Sequence, residues 1–198
     1  TDDLYEHLIY DDNEFHTFAS IAPELKERIL TLNGVSKAYA MTGWRIGYAG
    51  GNASLIKAMG KLQSQSTSNP TSISQAAAVE ALNGDDSFIA ERAKVFKGRR
   101  DFLINELTSM NGITCRVPEG AFYVFPSCKG VIGKVDESNN KITNDEEFTT
   151  SLLEHAGVAV VQGSAFGLEG YFRISYATSD ENLKNACVRM RDFLNKLR

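Results

Sequence analysis

The sequence predicts an α/β fold in two parts, and three observations predict it. Short glycine-closed apolar strands alternate with amphipathic helices in the first half of the chain. One long helical pattern without proline runs through the middle, and beyond it the apolar period drops from 3.6 to two before a last helix. With 198 residues, 42% hydrophobic and 23% charged, the chain can bury a sizeable core, which excludes disordered and collagen-like classes. Its 21 Lys and Arg against 25 Asp and Glu leave a net charge of -4, so nothing points to nucleic acid. The longest apolar runs, such as Gly157 to Val161, fall far short of the roughly 18 residues of a membrane helix. Three cysteines (Cys115, Cys128, Cys187) with no Cys-x-x-Cys spacing suggest neither a disulfide framework nor a zinc site, and the expected compartment is reducing and cytoplasmic. The opening Thr1-Asp2-Asp3-Leu4-Tyr5, without methionine, reads as the middle of a longer protein.

In chain order, the polar stretch from Glu24 gives way to an apolar run ending at Asn33-Gly34, a buried strand and a turn. Trp44 to Gly51 is a second strand. Asn52 caps a helix carrying Leu55, Ile56, Met59 and Leu62, which ends in the polar run Gln63 to Pro70. A further helix follows Thr71 and stops at Asn83-Gly84. The long helix starts near Asp85 and reaches Met110, with Gly98 as its one point of bending, and a helix of this length bridges domains. We place the boundary there, giving parts 1–97 and 98–198. Ile113 to Val117 and Gly120 to Phe125 alternate as two strands, and Lys129 to Asn144 is a loop. A helix from Asp145 stops at Gly157, strands follow at Val158 to Val161 and Tyr171 to Tyr176, and Ser179 caps the last helix.

Gly-x-Ser-x-Gly, P-loop and Gly-x-Gly-x-x-Gly motifs are all absent, and His7, His16 and His155 have no ligand spacing, so no metal is expected. What stands out is Asn33-Gly34-Val35-Ser36-Lys37, where a lysine follows directly on an apolar strand and a turn of small residues. On its own a lysine there is as readily a solvated surface group.

The longer string Ser36-Lys37-Ala38-Tyr39-Ala40-Met41-Thr42-Gly43-Trp44-Arg45-Ile46-Gly47-Tyr48 closely resembles the pyridoxal-phosphate attachment site of the class I and II aminotransferases, with Lys37 and Arg45 at that family's interval of eight. Asp2-Asp3-Leu4-Tyr5 is similar to the family's Asp-x-x-Tyr. Gly120-Ala121-Phe122-Tyr123 and Phe172 to Ala177 resemble its C-terminal strands, so the resemblance spans essentially the whole chain. Within the family, Met41 to Arg45 and Gly157 to Val161 look most like the bacterial aspartate aminotransferase branch. The resemblance implies a fold: 1–97 as the C-terminal portion of the cofactor-binding large domain, a mostly parallel sheet with helices, and 98–198 as the α+β small domain. It also implies a cofactor, pyridoxal 5'-phosphate, held as a Schiff base on Lys37, whose freed amine then moves the α-proton.

The remaining roles come from the same resemblance. Asp2 would keep the pyridine nitrogen protonated, Tyr5 would donate to the ring oxygen, and Arg45 would grip the phosphate through its planar fork. Arg173 would pair with the substrate's α-carboxylate. Ser68, in Ser68-Asn69-Pro70, is similar to the loop that reaches a partner subunit's phosphate, although a polar loop closing a helix accounts for it as well. Phe122, Tyr123 and Phe125 read as core, from their period-two pattern. The implied activity is transfer of an amino group between an amino acid, aspartate first, and 2-oxoglutarate, in a homodimer. The alternatives are other enzymes of the same fold (aromatic, alanine or methionine aminotransferases, or C–S lyases) and a non-catalytic piece that binds no cofactor.

The chain departs from the family pattern in two respects. Gly34 stands where some members carry a phosphate-binding serine, and a family member is about twice as long. The half not matched supplies the glycine-rich phosphate turn, the aromatic stacked on the pyridine ring and the residues that select the side chain. Exposed strand edges and apolar faces are the expected consequence for the half that is present.

Overall fold

The computed structural model describes residues Thr1–Arg198 as a mixture of helix and sheet that divides into two compact units, Thr1–Lys94 and Val95–Arg198. In the first unit a short helix α1 (Phe18–Ile21) and a 3-10 turn at Pro23–Arg28 precede strand β1 (Leu30–Gly34). A second 3-10 turn at Thr42–Trp44 leads to β2 (Gly47–Gly51). Helices α2 (Ala53–Ser66) and α3 (Ser72–Asn83) follow, and α4 (Ser87–Thr108) passes unbroken through Gly98, with the division between the units inside it. The Asn52 side chain accepts from the N–H groups of Ser54 and Leu55 and so starts α2, satisfying two donors that a helix end leaves over.

β1 and β2 pair antiparallel, Leu30 opposite Gly51 and Gly34 opposite Gly47. The link between them holds a single 3-10 turn and no crossover helix, so the chain doubles back instead of returning parallel. The parallel component of the sheet is the bridge from Asp2 to Leu32. β1 is less buried than its apolar run suggests: Gly34 is its one buried residue and Leu32 is 41% exposed, because a two-stranded ladder leaves one face uncovered. The apolar stripes of α2 and α3 are open in the same way, with Leu62 74% and Ile73 69% exposed. The buried apolar residues of this unit are Leu8, Tyr10, Ile29, Val35, Ala38, Ala78 and Ile89.

The second unit holds a three-stranded antiparallel sheet in the order β3 (Tyr123–Val124), β5 (Phe172–Ser175), β4 (Val161–Gln162). The stretch expected as a strand at Ile113–Val117 makes only the bridge from Thr114 to Ser127. Helices α5 (Asp145–Ala156) and α6 (Asp180–Lys196) contribute Phe148 and Leu152, and Leu183, Cys187, Met190, Phe193 and Leu194, to one continuous core with Leu103, Leu107, Phe172 and Tyr176. α5 is capped by the Asn144 side chain and stopped by Gly157, whose φ of 64° is the left-handed conformation a glycine adopts without strain. The loop before α5 is fastened by buried Asp136, which accepts from the N–H groups of Ser138 and Asn140 and from the Ser151 hydroxyl. Burial raises the Asp136 carboxyl pKa, but these donors outweigh it and hold the carboxyl below its ordinary value. All three cysteines are free, Cys128 and Cys187 fully buried and Cys115 half-buried, and burial pushes each thiol up to about 11. No helix is long and apolar enough to cross a membrane.

Candidate active site

Lys37 is presented by the turn that follows β1. Val35 and Ala38 on either side are buried, so they pin the turn to the core while Lys37 stays half-buried between them. The turn closes on itself through Ala40 N–H to Lys37 C=O at 3.1 Å and Met41 N–H to Val35 C=O at 3.2 Å. Arg92 of α4 donates to the Ala38 carbonyl at 3.1 Å, a brace that the sequence alone does not reveal. Tyr39 packs edge-on against His7 and Phe88. Burial, with Asp86 and Glu6 nearby, raises its phenol above the ordinary value.

Strand pairing brings the segment that carries Asp2 and Tyr5 alongside β1. Leu32 N–H donates to Thr1 C=O at 2.7 Å and Asp3 N–H to Leu32 C=O at 2.9 Å, which sets the N-terminal segment parallel to β1. In that register the residues beyond Asp2 and beyond Leu32 emerge at the same, carboxyl-terminal end, where open α/β sheets hold ligands. Tyr5 and Lys37 emerge there together, with the Lys37 Nζ 5.6 Å from the centroid of the Tyr5 ring. Asp2 Oδ1 accepts from the Leu4 N–H at 3.2 Å, shaping the turn that carries Tyr5.

Arg45 ends the 3-10 turn at Thr42–Trp44 in the left-handed conformation, φ 50°, and its exposed side chain donates to the Thr42 carbonyl at 2.8 Å. Buried Ser74 of α3 donates to the Trp44 carbonyl at 2.8 Å and so fixes the residue next to it, again without a signal in the sequence. Gly34 sits in a tight spot: a Cβ there would lie 3.2 Å from the Ile46 carbonyl oxygen and 3.3 Å from Gly47 Cα, so a side chain at this position would require its neighbours to give by a few tenths of an ångström. Ser68 follows α2 at φ 68°, with its N–H on the Gln63 carbonyl; it is exposed and its hydroxyl bonds to none of these residues. The structure thus brings Tyr5 and Lys37 together, holds Asp2 beside Leu32 of β1 on the segment that leads to Tyr5, sets Arg45 on the link leading from Lys37 to β2, and leaves Ser68 in a separate loop.

In the second unit Arg173 lies on central strand β5, opposite Val161 of β4. Its guanidinium carbon is 4.6 Å from the Tyr123 ring centroid and 4.5 Å from that of Phe166. It borders a cleft of about 370 Å³ also lined by Arg116, Glu119 and Phe125. Tyr123, read from its alternation as core, is half-buried and faces this arginine. Buried Asp145, at the start of α5, accepts from Ser164 N–H at 2.7 Å and Gly170 N–H at 3.2 Å and so ties down the turn that carries Phe166. Burial raises its pKa, but hydrogen bonds from the Ser164 and Gly170 N–H groups, with the Ser164 hydroxyl and its own backbone, more than offset this and the carboxyl sits below its ordinary value.

The arrangement of strands and helices is that of about half of the chain in solved aminotransferases. The aspartate aminotransferase from Rhizobium meliloti superposes with a TM-score of 0.95 at 58% identity, covering 99% of this chain and 49% of its own. The aromatic aminotransferase from Pyrococcus horikoshii follows with a TM-score of 0.85 at 38% identity, covering 98% and 50%. The sequence profile of aminotransferase class I and II matches residues 1–190, and the chain belongs to that family. A probable aspartate/prephenate aminotransferase of Rhizobium leguminosarum bv. phaseoli is 61% identical over 193 residues, 98% of this chain and 48% of that protein. The aspartate aminotransferase of Rhizobium meliloti strain 1021 is 58% identical over 196 residues, 99% and 48%. The chain spans about half the length of the curated relatives it matches.

Proposed function

We propose that this chain is the part of an aminotransferase in which Lys37 is the catalytic amine, and that the whole protein moves an amino group between aspartate and 2-oxoglutarate. The observation that supports this most directly is the amine of Lys37 over the Tyr5 ring, at the carboxyl-terminal end of two parallel-paired segments. The donor set suits pyridoxal phosphate: an amine for its aldehyde carbon, a carboxylate for its ring nitrogen, a phenol for its ring oxygen and a guanidinium for its phosphate. When bound, that cofactor supplies a conjugated ring able to take up the electron pair left at the substrate's α-carbon.

In this reading Lys37 would be both covalent anchor and proton carrier, taking the proton from the substrate's α-carbon and delivering it to the cofactor carbon that had carried the aldehyde. Asp2 holds a proton on the ring nitrogen, because a carboxylate beside a base favours its charged form. Tyr5 donates its hydroxyl proton in a hydrogen bond to the ring oxygen. Arg45 receives the phosphate through two N–H groups in one plane, which lysine cannot reproduce. Arg173 receives the substrate's α-carboxylate in the same manner, and Ser68 serves the phosphate of a second copy in a homodimer. Residues 1–97 act as the C-terminal portion of the cofactor-binding large domain and 98–198 as the small domain. Because relatives are named for aspartate and prephenate together, prephenate is the second substrate to assay.

The test uses the full-length protein. Lys37→Ala is expected to lower aspartate transamination by at least about 10²- to 10⁴-fold, the usual contribution of a positioned acid–base group. Borohydride reduction with pyridoxal phosphate should leave a cofactor-sized mass on Lys37 and on no other lysine. A variant that keeps the wild-type rate would overturn the assignment.

A further inference from the structure

Arg173 is set apart from the other arginines that are at least half-buried. Arg92 donates to the Ala38 carbonyl, Arg99 to Asp180, Arg100 to the Pro118 carbonyl and Arg191 to Glu106. Arg173 is half-buried, and its guanidinium is held by two aromatic rings, Tyr123 and Phe166, with no protein oxygen bonded to it. A guanidinium donates only within its plane, whereas its attraction to a ring quadrupole uses the charge and consumes no N–H. Two rings can therefore hold this side chain while every donor stays available.

Each ring is itself fixed. Tyr123 is locked in the β3–β5 ladder opposite Ser175, with Phe122 4.8 Å from its ring. Phe166 meets Phe125 edge to face at 5.9 Å, and its turn is tied to Asp145 through Ser164 and Gly170. Arginine carries large rotamer entropy, so a guanidinium oriented beforehand loses less on meeting a planar anion.

We propose that Tyr123 and Phe166 are positioning residues that orient Arg173 for bidentate capture of a carboxylate. This rests on reading Arg173 as the carboxylate-binding group. Neither ring needs to touch the reacting atoms. Both act through the arginine, so their loss weakens binding of the carboxylate in ground and transition states alike and appears in KM more than in kcat.

The experiment compares Phe166→Leu, Tyr123→Leu, Phe166→Tyr and Arg173→Gln in the full-length protein. It reads KM and kcat for aspartate, the dissociation constant of succinate by calorimetry, and the melting temperature. Phe166 is 48% exposed, so leucine there leaves no core cavity and keeps the test independent of folding. Each leucine variant is expected to raise both KM and the succinate dissociation constant about tenfold, within the range of a partly desolvated cation–π contact, while kcat falls less than about threefold. Phe166→Tyr, which keeps the π face, should stay within about twofold of wild type, and Arg173→Gln should exceed either leucine variant. If Arg173→Gln raises KM while both leucine variants bind succinate normally, the positioning role is overturned and the carboxylate reading of Arg173 stands. If Arg173→Gln itself changes nothing, that reading falls and this one with it.

Discussion

Replacing Asp145 by asparagine isolates one buried carboxylate at the turn that carries Phe166. Asp145 is 1% exposed and accepts two backbone N–H bonds, from Ser164 and Gly170. Asparagine keeps one acceptor oxygen and turns an NH₂ group toward the second backbone N–H, losing a charge-assisted bond worth about 1.5–3 kcal/mol and leaving one buried donor without a partner. Asp145 is also the first residue of α5, where a negative charge at the helix N-terminus adds about 0.3–1 kcal/mol. The expected loss is therefore about 3 kcal/mol at pH 7, read by urea unfolding followed by circular dichroism.

The pH dependence has a definite sign. The folded carboxyl titrates below its ordinary value of 3.8, so its contribution is complete at pH values above 3.8 and disappears as the pH falls through the folded value. The gap between wild type and Asp145→Asn should accordingly stay open at pH values above 3.8 and close as the pH is taken progressively below that ordinary value. A gap under about 0.5 kcal/mol at pH 7, or one that stays constant into acid, would refute the reasoning.

Two further substitutions test the scaffold around the lysine. Ser74→Ala removes the donor to the Trp44 carbonyl and should cost about 1 kcal/mol in a thermal melt; by loosening Arg45 it should also weaken pyridoxal phosphate binding several-fold, read from the cofactor's visible absorbance. Unchanged cofactor affinity would separate that turn from Arg45. Asn52→Ala deletes the cap of α2, and a loss of about 1 kcal/mol is expected with no change in cofactor affinity.

Much of this was legible in the sequence because local signals agreed with the fold. Asn52, Asp145 and Ser179 mark helix starts, Gly157 marks a stop, and the 3.6-residue period of Leu183, Cys187, Met190, Phe193 and Leu194 matches a buried face residue by residue. The lysine turn was legible as a motif. Harder to read were features made by residues distant in the chain. Arg92 and Ser74 brace the turns beside Lys37 and Arg45 from helices far along the chain, and nothing local distinguishes them from surface-facing neighbours. Ile113 to Val117 alternates like a strand, yet only Thr114 finds a partner, since period two describes side-chain burial and not ladder hydrogen bonds. Tyr123 was read as core from the same alternation, whereas the sheet turns its ring toward Arg173.

The withdrawn thiols have a practical consequence. With burial pushing each up to about 11, little of any sulfur is ionised at neutral pH, and the thiolate is the form that alkylating reagents attack. The wild-type chain is thus an almost silent background for maleimide chemistry. A single cysteine introduced on an exposed helix position, such as Lys61 of α2, could carry a spectroscopic reporter without first stripping out the native sulfurs.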